Sequence, residues 1–159
     1  MKPTLEPAAV TAAGQWLEVA KKDADALTEE RDAAEKVELL KSLGVNEGDA
    51  VPPNLRVDIK NLEEAQKRRA ARSLRDGIDR ILVDLLALYR DILTVQLQAK
   101  ANLVNEDLRA TIEEVASRSN AAQTIAKLDA ISQARTRLES NGRDIYILDA
   151  LAVALRNNH

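Results

Sequence analysis

Apolar residues recur along this chain at the three- and four-residue spacing of a helix, and nowhere alternate as a half-buried strand requires. Residues 8–27 carry an alanine-rich stripe through Ala9, Ala13, Trp16, Ala20 and Leu27. Thr28, followed by Glu29 and Glu30, has the chemistry of an N-cap with an acidic first turn, which predicts a second helix starting there. That helix is expected to stop near Leu43, with Gly44 in the left-handed position beyond it. The stretch "GVNEGDAVPPNLR", 44–56, gathers Gly, Pro and Asn and is the strongest break in the pattern. The expected organisation is an N-terminal helical hairpin over 1–44, a linker over 45–56 and a main helical bundle over 57–159.

The next helix runs from Val57 to Gln98, with a kink or division predicted at Asp76-Gly77, since an interior Gly costs about 1 kcal/mol relative to Ala. Its second half, "DLLALYRDILTVQL", is apolar over an arc of roughly 200° at 100° per residue, as a central bundle helix should be. Tyr89 falls within that arc as a core ring, while Arg90 and Asp91 fall on the opposite, outward side. Gln96 lies on the apolar side, where a buried amide needs a partner, so a helix–helix hydrogen bond is expected. Further on, Asn105 is a predicted cap, with Val104, Leu108, Ile112 and Val115 forming one face. Ser119 or Asn120 caps the following helix, whose face is Ile125, Leu128, Ile131 and Leu138 and whose stop is Asn141-Gly142. The last helix, "DIYILDALAVALR", is apolar on nearly all sides and is expected to be buried. The fold class is all-α, a bundle of about five to seven helices.

Composition narrows the function. With 159 residues and 45% hydrophobic content the chain can build a domain core, and a net charge of -3 argues against nucleic-acid binding by the whole domain. Zero cysteines exclude a disulfide scaffold and any thiolate metal site. No apolar run approaches the roughly 18 residues of a membrane span, and "MKPTLEPAAV" lacks a signal-peptide core, so a soluble, cytoplasmic protein is expected. His159 is the lone histidine, and Glu113 and Glu114 diverge by about 100° around their helix. Glu-x-x-His pairs, phosphate loops and dinucleotide fingerprints do not occur. No catalytic, cofactor-binding or metal-ligating residue is therefore expected, nor a small-molecule substrate.

One charge cluster stays open. Residues 1–56 hold seven basic and eleven acidic side chains, whereas "QKRRAARSLR", 66–75, has five basic and none acidic. Lys67, Arg68, Arg69, Arg72 and Arg75 could track a phosphate backbone. They could equally form a solvated face paired with acidic residues such as Glu63 and Glu64. No aromatic side chain interleaves to stack on bases.

Four words in order, "LLALYRDIL" at 85–93, "VNED" at 104–107, "LDAISQARTRLESN" at 128–141 and "LDALAVALR" at 148–156, resemble the C-terminal region of the bacterial DNA polymerase III δ′ subunit. "RDGIDRILVDL" after a basic stretch resembles the actinobacterial form, and the likeness covers about residues 66–156. The resemblance implies the helical collar domain of a clamp-loader subunit, without the AAA+ module, lid and zinc module that precede it in the family. It implies partners in the motor and δ subunits, through their C-terminal domains, with no membrane and no direct DNA contact by this domain. Arg90, Asp91, Arg135 and Arg143 are the candidate rim of that subunit interface. The alternatives are a helical adaptor or nucleic-acid-binding module using the 67–75 helix, or the collar domain of another clamp-loader subunit.

Overall fold

Between Gln15 and Ser42 the chain contains neither Gly nor Pro, and the helix that begins at Glu6 runs unbroken to Ser42. A computed structural model describes residues 6–46, 49–140 and 143–156, with side chains from residue 14 onward. Among them are five α-helices and no strand: α1 Glu6–Ser42, α2 Arg56–Gln96, α3 Arg109–Arg118, α4 Ala121–Glu139 and α5 Asp144–Arg156. Short 3-10 turns, Pro53–Leu55 and Glu106–Leu108, lead into α2 and α3. The chain divides into two compact units, one of residues Val19–Gly77 and one joining residues up to Glu18 with those from Ile78 onward. Both α1 and α2 contribute to each.

The hairpin expected within 1–44 is corrected: Thr28 ends nothing. Its side chain is buried within α1, and its hydroxyl donates to the Ala24 carbonyl at 3.0 Å. A hydroxyl bonded to the carbonyl one turn back sits within a continuous helix and caps no new one. Of the expected stripe Ala20 is buried and Trp16 half-buried, but Leu27 is 70% exposed and Ala24 and Thr28 are buried beside them; the side chains of Ala9 and Ala13 lie outside the described residues. The hairpin that does form pairs the later part of α1 with the start of α2, antiparallel, across the connector at 43–55. Gly44 ends α1 as predicted, at φ +70, with its N–H on the Lys41 carbonyl and that of Val45 on the Leu40 carbonyl.

Small residues bring this pair close together. A methyl added at Gly77 would lie 3.4 Å from both the Cβ and the carbonyl oxygen of Ala20. Gly77 is thus a packing residue rather than a hinge, and α2 continues through it without the expected division. Farther along, Gln66 donates to the Asp32 carbonyl at 2.9 Å, and Lys36 pairs with Glu63 at 3.4 Å.

The other unit is built on branched apolar side chains. Ile78, Leu82 and Ile92 of α2, Ile112 of α3, Ile131 and Leu138 of α4, and Ile147, Leu148 and Leu151 of α5 are buried. Ile92, Ile112 and Ala116 form one cluster, flanked by Leu88, Tyr89, Val95 and Leu103. Tyr89 is half-buried against this cluster, with Lys127 Nζ 5.8 Å from the ring centroid, and burial raises its phenol pKa. The α4 and α5 helices pack on each other.

Several expected faces prove narrower. On α3 only Ile112 and Ala116 are buried, while Val104, Leu108 and Val115 stay exposed, as does Ile125 on α4. On α5 the buried side faces away from Tyr146 and Val153, which are exposed despite the helix's apolar character. Asn120, not Ser119, caps α4, in a reciprocal box with Gln123. Ser119, just past the end of α3, instead accepts from Gln96 Nε2 at 2.9 Å, and the same nitrogen reaches the Ala116 carbonyl of α3 at 3.4 Å, the helix–helix bond expected of that amide. The predicted stop at Asn141-Gly142 lies outside the described residues.

Two substitutions test the close approach at Gly77. Gly77→Ala should be near neutral, because about 1 kcal/mol of helix propensity works against a methyl pressed onto Ala20. Gly77→Leu should lose about 1–3 kcal/mol in a denaturant melt through overpacking; a leucine variant as stable as the wild type would contradict the contact.

Candidate functional site

The helical wheel that put Asp91 outward is overturned. Asp91 is 0% exposed, and its Oδ1 accepts from the Val104 backbone N–H at 3.0 Å. Its Oδ2 accepts from the Asn105 N–H at 2.7 Å and from the Asn105 side-chain amide at 2.9 Å. Arg90 completes the set with Nη1 2.9 Å from Oδ1 and 3.0 Å from the Asn102 carbonyl. A buried carboxylate needs such partners, and here a chain connector supplies most of them. Burial pushes the Asp91 carboxyl pKa up. The Asn105 and Val104 backbone bonds, the Asn105 amide and Arg90 outweigh that and hold it below the ordinary aspartate range.

Asp91 is therefore an internal anchor and not a rim residue. Asn105, the expected cap, makes no side-chain cap bond; its side-chain nitrogen donates to Asp91. The α2 helix ends at Gln96, with Gln98 in the left-handed region at φ 50 and the Ala99 N–H bonded to the Thr94 carbonyl at 3.0 Å.

The three arginines expected beside Asp91 on the rim fare differently. Arg90 remains exposed but is committed to Asp91 and Asn102. Arg135 is half-buried and forms a two-point bridge to Asp79, at 2.6 and 3.0 Å. Asp79 is held below the ordinary carboxylate range by Arg135, and Arg135 is raised in turn. Arg143 is exposed, its guanidinium carbon 5.8 Å from the Tyr146 ring centroid. The structure does not gather these residues into one cluster of contacts.

The basic run also divides. Arg69 points into the hairpin, 2.5 Å from Asp32 and 3.0 Å from Glu35. Arg69 foremost, then Arg31, holds Glu35 below its ordinary range. Arg68 makes a loose pair with Glu64 at 3.9 Å, Lys67 and Arg72 are exposed, and Arg75 is half-buried. The acidic partners of Arg69 lie on α1, more than thirty residues earlier, and no local spacing pointed to them.

Asp91→Ala should lose about 2–4 kcal/mol of unfolding free energy, since two backbone N–H groups lose a charged acceptor. A lowered folded pKa makes the anchor's contribution complete above the unfolded aspartate value of about 3.9 and lost as pH falls through the folded value. The acid limb of the stability–pH curve should accordingly be shallower in the variant. Within the basic run, Arg69→Ala should lower the thermal midpoint and Arg72→Ala should leave it in place. Equal midpoints would show Arg69 to be a surface charge like its neighbours.

Against known proteins, the family model described as DNA polymerase III, delta subunit, C terminal, matches residues 59–151. That span takes in most of α2, all of α3 and α4, and α5 as far as Leu151. No curated protein and no solved structure matches. The match covers more than half of the sequence and includes the Asp91 anchor together with the connector it holds; the chain belongs to the family of C-terminal domains of the DNA polymerase III delta subunit.

Proposed function

We propose that this chain is the collar domain of the clamp-loader δ′ subunit, and that it helps hold the pentamer together while the sliding clamp is loaded for DNA replication. The family match over 59–151 carries the reading. What favours δ′ over another subunit is the order of the four sequence words. Two of them, "LLALYRDIL" and "VNED", are the acceptor and donor halves of the Asp91 anchor. That joint lies within the delta-family match as well, and it suits a domain whose role is to present helices to neighbours. Arg90, Arg135 and Arg143 are the candidate rim, with Arg90 and Arg135 already braced by internal carboxylates.

Mixing the chain with purified motor and δ subunits and following co-elution on size exclusion tests the proposal. Co-elution, with DNA affinity that is weak and nearly flat in salt, is the expected result. Failure to join either subunit, together with DNA binding that falls steeply as salt rises, would favour a nucleic-acid module using Lys67, Arg68 and Arg72. Replacing δ instead of complementing it in reconstituted complexes would move the assignment to that subunit.

A further inference from the structure

The outer face of α5 is apolar where a solvated helix would be polar. Ile147, Leu148, Leu151 and Ala152 take the buried side, yet the opposite side carries Tyr146, 62% exposed, Val153, 38% exposed, and exposed Ala150. Positions 146, 150 and 153 fall on one stripe at helical spacing, bordered on the Arg156 side by half-buried Asp149. Arg143 and Arg156 flank it, both exposed.

The contrast with α3 is informative. There Arg109 pairs with Glu106 and Glu113, and Arg118 with Glu114, so the charges are neutralised within the helix and its lead-in. Arg143 and Arg156 make no ion pair among the described residues. Arg143 instead lies against Tyr146 at 5.8 Å, an arrangement that holds ring and cation together at the surface. Tyrosine and arginine are the residue types that dominate interface energetics when desolvated. One of two tyrosines, in a chain without phenylalanine, is spent on this exposed position.

We infer that this face, Tyr146, Ala150 and Val153 between Arg143 and Arg156, docks a helix of a neighbouring clamp-loader subunit that is apolar along its centre and carries carboxylates at its edges. The inference rests on the assembly reading above and names the surface that assembly uses. Two cations at the edges of an apolar stripe, neither in an ion pair among the described residues, fit an acidic rim by charge complementarity. The apolar centre supplies affinity, and the arginines supply register.

The test uses the full chain with purified motor and δ subunits, read by size exclusion and sedimentation velocity. Tyr146→Ala combined with Val153→Asp should weaken association at least tenfold. Arg143→Glu combined with Arg156→Glu should weaken it and flatten its dependence on salt. These side chains are exposed, so thermal melts should match the wild type; if the first pair shifts the melt, Tyr146→Ser alone serves in its place. Wild-type assembly that all variants reproduce would overturn this surface and leave the assembly reading intact. A wild type that joins neither subunit would overturn the reading itself. Self-association of the wild type that the variants abolish would make the occupant a second copy of this chain and overturn the subunit assignment.

Discussion

A carboxylate with no exposed surface ties the end of α2 to the connector that follows it. Asp91 accepts from two consecutive backbone N–H groups, Val104 and Asn105, and thereby fixes where the chain stands as it turns toward α3. The α3 helix itself buries Ile112 and Ala116, and Gln96 of α2 donates to its Ala116 carbonyl at 3.4 Å and to Ser119 Oγ at 2.9 Å. A charged anchor at the entrance of this ten-residue helix adds a directional constraint to that packing. The cluster of Ile92, Ile112 and Ala116, with Leu88, Tyr89, Val95 and Leu103 packed against it, joins α2, α3 and the connector.

The two units solve packing in opposite ways. In the α1–α2 hairpin, Ala20, Ala24, Thr28 and Gly77 let backbones approach, and Arg69, Gln66 and Lys36 fasten the polar flank. In the other unit, isoleucines and leucines from α2, α4 and α5 interlock, and polar bonds such as Gln96 to Ser119 or Arg135 to Asp79 join neighbouring helices. Oε1 of Gln96 is buried without a partner, so the amide is held from its donor side alone.

Much of this was legible in the sequence, wherever a local rule decides. The helical periodicity, the Gly44 stop, the Asn120 cap and the partner sought by Gln96 all depend on residues close by or on a strong general requirement. Thr28, Gly77 and Asp91 depart from expectation for a shared reason. Each shows a local signal (a cap, a breaker, an outward charge) that a residue elsewhere in the fold, or the unbroken helix around it, overrides. Gly77 is explained by Ala20 and Asp91 by Val104 and Asn105. The signal that could have found the Asp91 joint was present: an acid in an apolar helix, followed a short connector later by "VNED", both within the words that carried the family likeness. The α5 face escaped because a helix apolar on all sides reads as core, and periodicity cannot say which half a neighbour covers.

The contact between Ala20 and Gly77 joins positions about 57 residues apart, so the first helix leaves the ribosome long before the surface it packs on. At about 5–20 residues per second, α1 waits roughly 3 to 11 seconds for its partner. Its contact stripe of alanines and a threonine exposes little to aggregate during that interval, where a row of leucines would expose a great deal. A rail of small residues is thus a safe way to begin a helical hairpin whose second half is made later.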